Sequence, residues 1–129
     1  METFEKLDAW KSAKALALDA YRSLKHCRDF SLVNQIQRAA ISIPCNIAEG
    51  VERNSQAEFR SFLGVAKGSA GELRTQLILA KDLEYLEEEA FVRLWEASIR
   101  VSQLIGGLIR SIEKGSLPAR PKGSPLKPS

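Results

Sequence analysis

Arg53, Arg60, Lys67, Arg74 and Lys81 recur at every seventh position of the chain. On an α-helix each heptad falls about 20° short of two full turns, so the cations from Arg60 to Lys81 drift only about 60° around the axis. They would stand about 10.5 Å apart and spread over about 30 Å, a ladder able to track a phosphate backbone. Arg38 is a further cation of the same kind upstream. The same pattern also fits the solvated outer face of a helix, where lysine and arginine are ordinary. Glu58 and Glu72 fall well around the helix from this stripe and are expected not to neutralise it directly.

Other chemistry finds little material. His26 is the one histidine, which argues against His-dependent catalysis and against most zinc sites. A carboxylate-bridged di-iron bundle needs Glu-x-x-His pairs from facing helices, but His26 is preceded three positions back by Ser23. Arg22 and His26 are spaced too closely for the Arg–His pair of helical RNA nucleases; a cation near terminal helix carbonyls is the simpler role for His26. Cys27 and Cys45 lack a partnering spacing and read as packing residues. No glycine-rich phosphate loop follows a strand, and the serines have no recognisable base. The expectation is a protein that is not an enzyme, with no cofactor and no metal.

The chain has 129 residues, 44% hydrophobic and 27% charged, which suits one domain with one core. No apolar run approaches the roughly 18 residues of a membrane span, and the start Met1-Glu2-Thr3-Phe4-Glu5 does not resemble a secretory signal. Two cysteines are not a disulfide framework and fit a reducing cytoplasm. The net charge of +3 belongs wholly to residues 115–129, where Arg120, Lys122 and Lys127 meet no acid. Residues 1–114 hold sixteen basic and sixteen acidic residues. Within them residues 1–81 lean basic, 12 against 9, and residues 82–114 lean acidic, 4 against 7.

The elements that must position the stripe are helices. Residues 115–129 carry four of the five prolines and are expected to be a mobile tail, with Pro118/Pro121 and Pro125/Pro128 as possible polyproline ligands or merely solvated chain. In residues 1–114, Leu7, Trp10, Ala13, Ala17, Tyr21 and Leu24 step by three or four. Val33, Ile36, Ala40, Ile43, Ile47 and Val51 keep that step through Pro44, predicting one bent helix over 32–52. Asn46, just past that bend, is expected to hydrogen-bond across the bundle or to the freed backbone. Ser55 and Glu58 form a capping box that opens a third helix, and Glu87-Glu88-Glu89 suit the start of a fourth. That fourth helix carries Phe91, Trp95, Ile99, Ile105, Leu108 and Ile112. The expected fold is all-α, an antiparallel up-and-down four-helix bundle over 1–114.

The third helix shows a second pattern. Phe59, Phe62, Ala66, Ala70, Leu73, Leu77 and Ala80 make its core seam. Almost opposite run Ala57, Ser61, Gly64, Gly68, Gly71 and Thr75. Three glycines within a helix cost about 1 kcal/mol each against alanine, which suggests close approach by another helix of this subunit or a neighbour. Ser61, Gly64, Gly68 and Gly71 are therefore the candidate oligomer interface.

The run Gln35-Ile36-Gln37-Arg38-Ala39-Ala40-Ile41-Ser42-Ile43-Pro44-Cys45-Asn46-Ile47-Ala48-Glu49-Gly50, followed by Arg53, resembles a family signature. The family is that of four-helix-bundle proteins encoded in intervening sequences of large-subunit ribosomal RNA genes. Leu7, Trp10 and Ala13, and later Phe59, Phe62, Leu63, Ala66, Gly68, Ser69, Glu72 and Leu73, match it too. The helix 1–2 link, Cys27-Arg28-Asp29-Phe30-Ser31-Leu32, departs from the Phe-Pro and Glu frequent there. The resemblance implies a four-helix bundle without catalytic residues. It also implies kinship with the accessory protein of diversity-generating retroelements, a homopentamer that binds nucleic acid and a reverse transcriptase.

Two functions follow as expectations. One is a homo-oligomeric module, a pentamer by resemblance, that binds RNA or DNA through Arg38, Arg53, Arg60, Lys67, Arg74 and Lys81. The other is a protein–protein adaptor for which the stripe is only a solvated face. A reverse transcriptase is a partner by resemblance alone.

Overall fold

The computed structural model describes residues 4–115. They form a short 3-10 turn, Phe4–Lys6, and four α-helices: α1 Asp8–Ser23, α2 Phe30–Val51, α3 Gln56–Asp82 and α4 Glu88–Glu113. No strand occurs among the described residues. The proline-rich tail and its P-x-x-P spacings lie outside them, apart from Gly115.

Local chemistry sets the helix ends. Asp29 starts α2 by accepting a hydrogen bond from the Leu32 amide at 3.1 Å through Oδ1. Its Oδ2 takes the hydroxyl of Tyr85 at 2.9 Å, which ties the α3–α4 turn to the head of α2 and raises the Tyr85 phenol above its usual range. Ser55 caps α3 through the Glu58 amide at 3.2 Å. The return arm of the capping box is shifted by one residue: Glu58 Oε1 accepts from the Asn54 amide at 3.1 Å.

α2 runs unbroken through Pro44. Proline deprives the Ala40 carbonyl of its helical donor. Asn46 does not fill that vacancy. Its Nδ2 donates to the Ser42 carbonyl at 2.8 Å and to Ser42 Oγ at 2.9 Å, both within its own helix. The crossing to α3 is made by Ser42, whose hydroxyl meets that of Ser69 at 2.8 Å.

The pairs that join α3 to α4 come in reverse chain order: Arg60 with Glu113, Arg74 with Ser98 and Ser102, Lys81 with Glu88. These two helices are antiparallel. One core runs through all four helices. Every member of the expected α2 seam is buried, and the α3 seam is buried apart from half-buried Phe62. α1 differs from expectation: Leu16 and Ala20 are in the core, while Tyr21 is 38% exposed. α4 differs more. Its core face is Leu94, Ser98, Val101, Ile105 and Ile109, and Phe91, Trp95, Ile99, Leu108 and Ile112 are only half-buried. Apolar residues occupy two adjoining faces of α4, so a three-or-four step can be drawn along either.

The close backbone approach that glycine permits occurs at Gly50. A Cβ there would lie 2.9 Å from Phe59 Cδ1, 3.0 Å from Phe62 Cβ and 3.3 Å from the Phe59 carbonyl oxygen. Gly50 thus brings the end of α2 directly onto the first turns of α3.

α1 is clamped to α4 by Arg93, whose Nε and Nη2 donate to the two Asp19 carboxylate oxygens at 2.8 and 3.0 Å. Arg93 Nη2 also reaches Ser23 Oγ at 3.0 Å. The hydrogen bond from Arg93 holds the Asp19 carboxyl below its ordinary value of 3.8. A lowered folded-state pKa adds stability that is complete above the unfolded value and is lost as pH falls through the folded one. Arg93→Gln should therefore lower the melting temperature near pH 7, and the gap to the parent should narrow below about pH 4. Thermal melts from pH 7 to pH 2.5 check this; a gap that widens in acid would contradict it.

Candidate nucleic-acid interface

The six candidate cations do not form one surface. Arg38 lies on α2, in the α2–α3 cleft with Gln35, Ser42, Ser69 and Glu72. Arg53 sits in the α2–α3 turn between Glu49 at 3.2 Å and Glu58 at 3.4 Å, and its guanidinium lies 5.3 Å from the centre of the Phe62 ring. The expectation that Glu58 leaves the stripe unneutralised thus fails at Arg53. Arg53 precedes α3, so the helical angle separating Glu58 from the stripe does not apply to it. Lys81 ends the stripe 3.6 Å from Glu88 and 4.7 Å from the centre of the Phe91 ring.

Arg60, Lys67 and Arg74 remain, and all three border α4. Arg60 donates to Glu113 Oε2 through Nε at 3.0 Å and Nη2 at 2.7 Å. Both side chains are about half exposed, 44% and 51%, so water and salt screen the pair. Arg74 is half-buried and holds the Ser98 carbonyl at 3.3 Å and Ser102 Oγ at 2.9 Å. It is a strut between α3 and α4 that takes part in no salt bridge among the described residues. Lys67 is exposed and lines a groove of about 300 Å³ with Ile99, Ser102, Gln103, Gly106 and Arg110.

Arg110 is the addition that the sequence did not suggest. It stands on α4, outside the heptad, and reaches the groove because Gly106 and Gly107 leave room beside it. A Cβ at Gly106 would lie 3.3 Å from one Arg110 terminal nitrogen, and one at Gly107 3.9 Å from the other. Neither Lys67 nor Arg110 takes part in a salt bridge among the described residues. The groove thus carries two exposed cations outside any salt bridge among the described residues, and polar edges in Ser102 and Gln103; Arg74 adjoins it through its bond to Ser102. That set suits an anionic chain held by its phosphates.

Among the described residues, the small-residue seam is bare. Ser61 and Gly68 are exposed, and Gly64 and Gly71 half-buried. A Cβ at Gly68 meets nothing within 4 Å, one at Gly64 only the Arg60 guanidinium at 3.6 Å, and one at Gly71 only that of Arg74 at 3.8 Å. No other helix among the described residues accounts for these glycines.

Cys27 is half-buried against the core, but Cys45 is exposed, contrary to a packing role. No group of three or more His, Cys, Asp or Glu among the described residues could hold a metal ion. No helix among the described residues is long and apolar enough to cross a membrane.

No curated protein matches the chain. Among solved structures, it is similar to a protein of unknown function from the S23 ribosomal protein family of Bacteroides thetaiotaomicron. The two share 25% identity and a TM-score of 0.75, over 79% of this chain and 98% of the other. The model of the 23S rRNA-intervening sequence protein family matches residues 5–107, a span holding the α2 signature, all of α3 and most of α4. The chain is a member of the 23S rRNA-intervening sequence protein family.

Proposed function

We propose that the protein is a non-catalytic, oligomeric four-helix bundle that binds nucleic acid by its phosphates in the α3–α4 groove. The observation that carries this is the convergence of Lys67 and Arg110 on one groove with no acid paired to either among the described residues, Arg74 adjoining it through Ser102. A phosphate chain would replace Glu113 as the partner of Arg60 at little cost, since that pair is exposed. Backbone contacts of this kind confer affinity without base selectivity. Repetition around an oligomer would turn weak sites into appreciable binding through effective concentration.

The test uses a chain ending at Lys114, because Arg120, Lys122 and Lys127 could attract polyanions unaided. It should bind labelled RNA or DNA duplexes at low salt, with affinity falling steeply as salt rises. If removal of the tail abolishes all binding, the groove is a solvated face and the adaptor reading replaces this one. For the oligomer, the expected contact is the seam of Ser61, Gly64, Gly68 and Gly71. Gly68→Leu meets no obstacle among the described residues, so it should dissociate the oligomer and leave the helical content intact. Sedimentation with circular dichroism reads both, and a parent protein that is monomeric at micromolar concentration contradicts the oligomer.

A further inference from the structure

On the α1–α2 side, a second groove remains that the phosphate reading does not use. It encloses about 600 Å³ and is walled by Trp10, Leu18, Tyr21, Ile41, Pro44 and Cys45 among others. Leu18, Tyr21 and Ile41 are 42%, 38% and 44% exposed, so apolar surface faces solvent where a core position would be covered. A contiguous apolar recess of this kind marks a binding surface more often than scattered apolar residues do.

Among the described residues that line it, Lys14 alone is charged. At 100° per residue, Lys14 stands within the apolar stripe Trp10–Leu18–Tyr21 of α1, and Lys11 and Arg22 lie about 60° and 80° to one side of it. Lys14 Nζ sits 5.6 Å from the centre of the Trp10 ring, which leaves its charge at the groove's lip. None of the three cations takes part in a salt bridge among the described residues. Asp8 and Asp19 fall more than about 100° from Lys14, and Asp19 is held by Arg93. Arg22, three residues from Asp19, also acts on that carboxylate, which leaves Lys11 and Lys14 as the cations of the groove. Glu49, near the α2 end of the groove, is taken by Arg53.

We infer that this groove receives an amphipathic α-helix of a partner protein, with an apolar stripe flanked by acidic residues. The recess selects a helix over a flat surface, since side chains must enter between α1 and α2. From Trp10 to Tyr21 the stripe runs about 16 Å, or three turns of a docked helix with anchors at i, i+3 or i+4, and i+7. Glutamates beside those anchors meet Lys11 and Lys14. A nucleic acid is disfavoured here because the walls offer almost no polar group to base edges or sugars.

Cys45 supplies a direct reporter, being a free, exposed thiol in the groove wall. The probe is a 15-residue peptide with leucines on one helical face, glutamates beside them and alanine elsewhere. Two controls have the same residues shuffled off one face, or lysine in place of glutamate. With the full chain, the glutamate peptide should bind by anisotropy, weaken as salt rises, and slow alkylation of Cys45 at least fivefold, with Cys27 as the reference. Ile41→Glu and Leu18→Glu, at exposed positions, should each lower affinity at least tenfold without changing the melting temperature; Lys11→Glu with Lys14→Glu should do the same. Equal binding of either control, or no binding at all, overturns the inference. So does protection of Cys45 by a single-stranded RNA in place of the peptide. If Cys45 is already unreactive in the peptide-free oligomer and Ile41→Glu releases monomers, the occupant is a second copy of this chain and the inference fails.

Discussion

Phe59→Ala should be the most damaging single substitution in the bundle, at about 3–5 kcal/mol, the usual range for emptying a buried aromatic site. Phe59 is 1% exposed and heads the fully buried side chains by volume. Its ring also lies against Gly50, so the loss falls where α2 meets α3. For a domain of about 100 residues each kcal/mol moves the melting temperature by about 4–8 °C, so a fall of at least about 12 °C is expected. Gly50→Ala should be damaging for the complementary reason. Alanine favours the helix by up to about 1 kcal/mol, but its Cβ overpacks the junction at about 1–3 kcal/mol. The two changes should not add. Without the ring atom at 2.9 Å, the added methyl loses its tightest neighbour, so the cost of Gly50→Ala should shrink by at least about 0.5 kcal/mol in the Phe59→Ala background. Denaturant melts of the four proteins measure that coupling, and strict additivity would show that Gly50 is not there to admit Phe59.

The contrast between Gly50 and Gly68 shows what spacing can and cannot reveal. Three glycines at helical spacing on α3 stand out in the sequence because of their periodicity. Gly50 stands alone beside a helix end, where glycine is ordinary. Yet the packed glycine is Gly50, and Gly68 faces open space. Periodicity reports which residues share a face; it does not report what lies opposite that face. The same limit explains the helices. α2, with a single apolar face, was legible residue by residue from Val33 to Val51. α1 hid its seam because alanine occupies core and edge alike, and α4 because aromatic residues flank its core stripe.

The candidate site was legible in the same partial way. Arg60, Lys67 and Arg74 could be grouped because one helix carries them. Arg110 could not, since its place beside Lys67 depends on how α4 packs along α3. Nor could the pairing of Arg60 with Glu113, fifty-three residues away in sequence. Heptad spacing alone puts Arg53 on the ladder, though the helix that would extend the ladder begins only at Gln56.

Lys67 and Arg110 should therefore govern nucleic-acid affinity, and Arg74 should not be used to test it. Reversing Arg74 would break its bonds to the Ser98 carbonyl and Ser102 and leave a carboxylate half-buried between helices, so a loss of binding would report damage to the fold. Lys67→Glu with Arg110→Glu changes only exposed side chains that take part in no salt bridge among the described residues, and should leave the melting temperature within about 1–2 °C of the parent. Its effect on binding should be large and salt-dependent. Each phosphate contact on duplex DNA contributes about 0.9 to the slope of log affinity against log salt, so two lost contacts flatten the slope by about 1.8 per subunit engaged. Between 50 and 200 mM salt the parent should then lose roughly twelvefold more affinity than the variant for each subunit that contacts the duplex. Arg60→Gln should flatten the slope further by less than one unit, since Glu113 already competes for that guanidinium. A variant with the parent's slope and affinity would place any phosphate contacts elsewhere on the bundle, and Arg38 in the α2–α3 cleft would be the next cation to reverse.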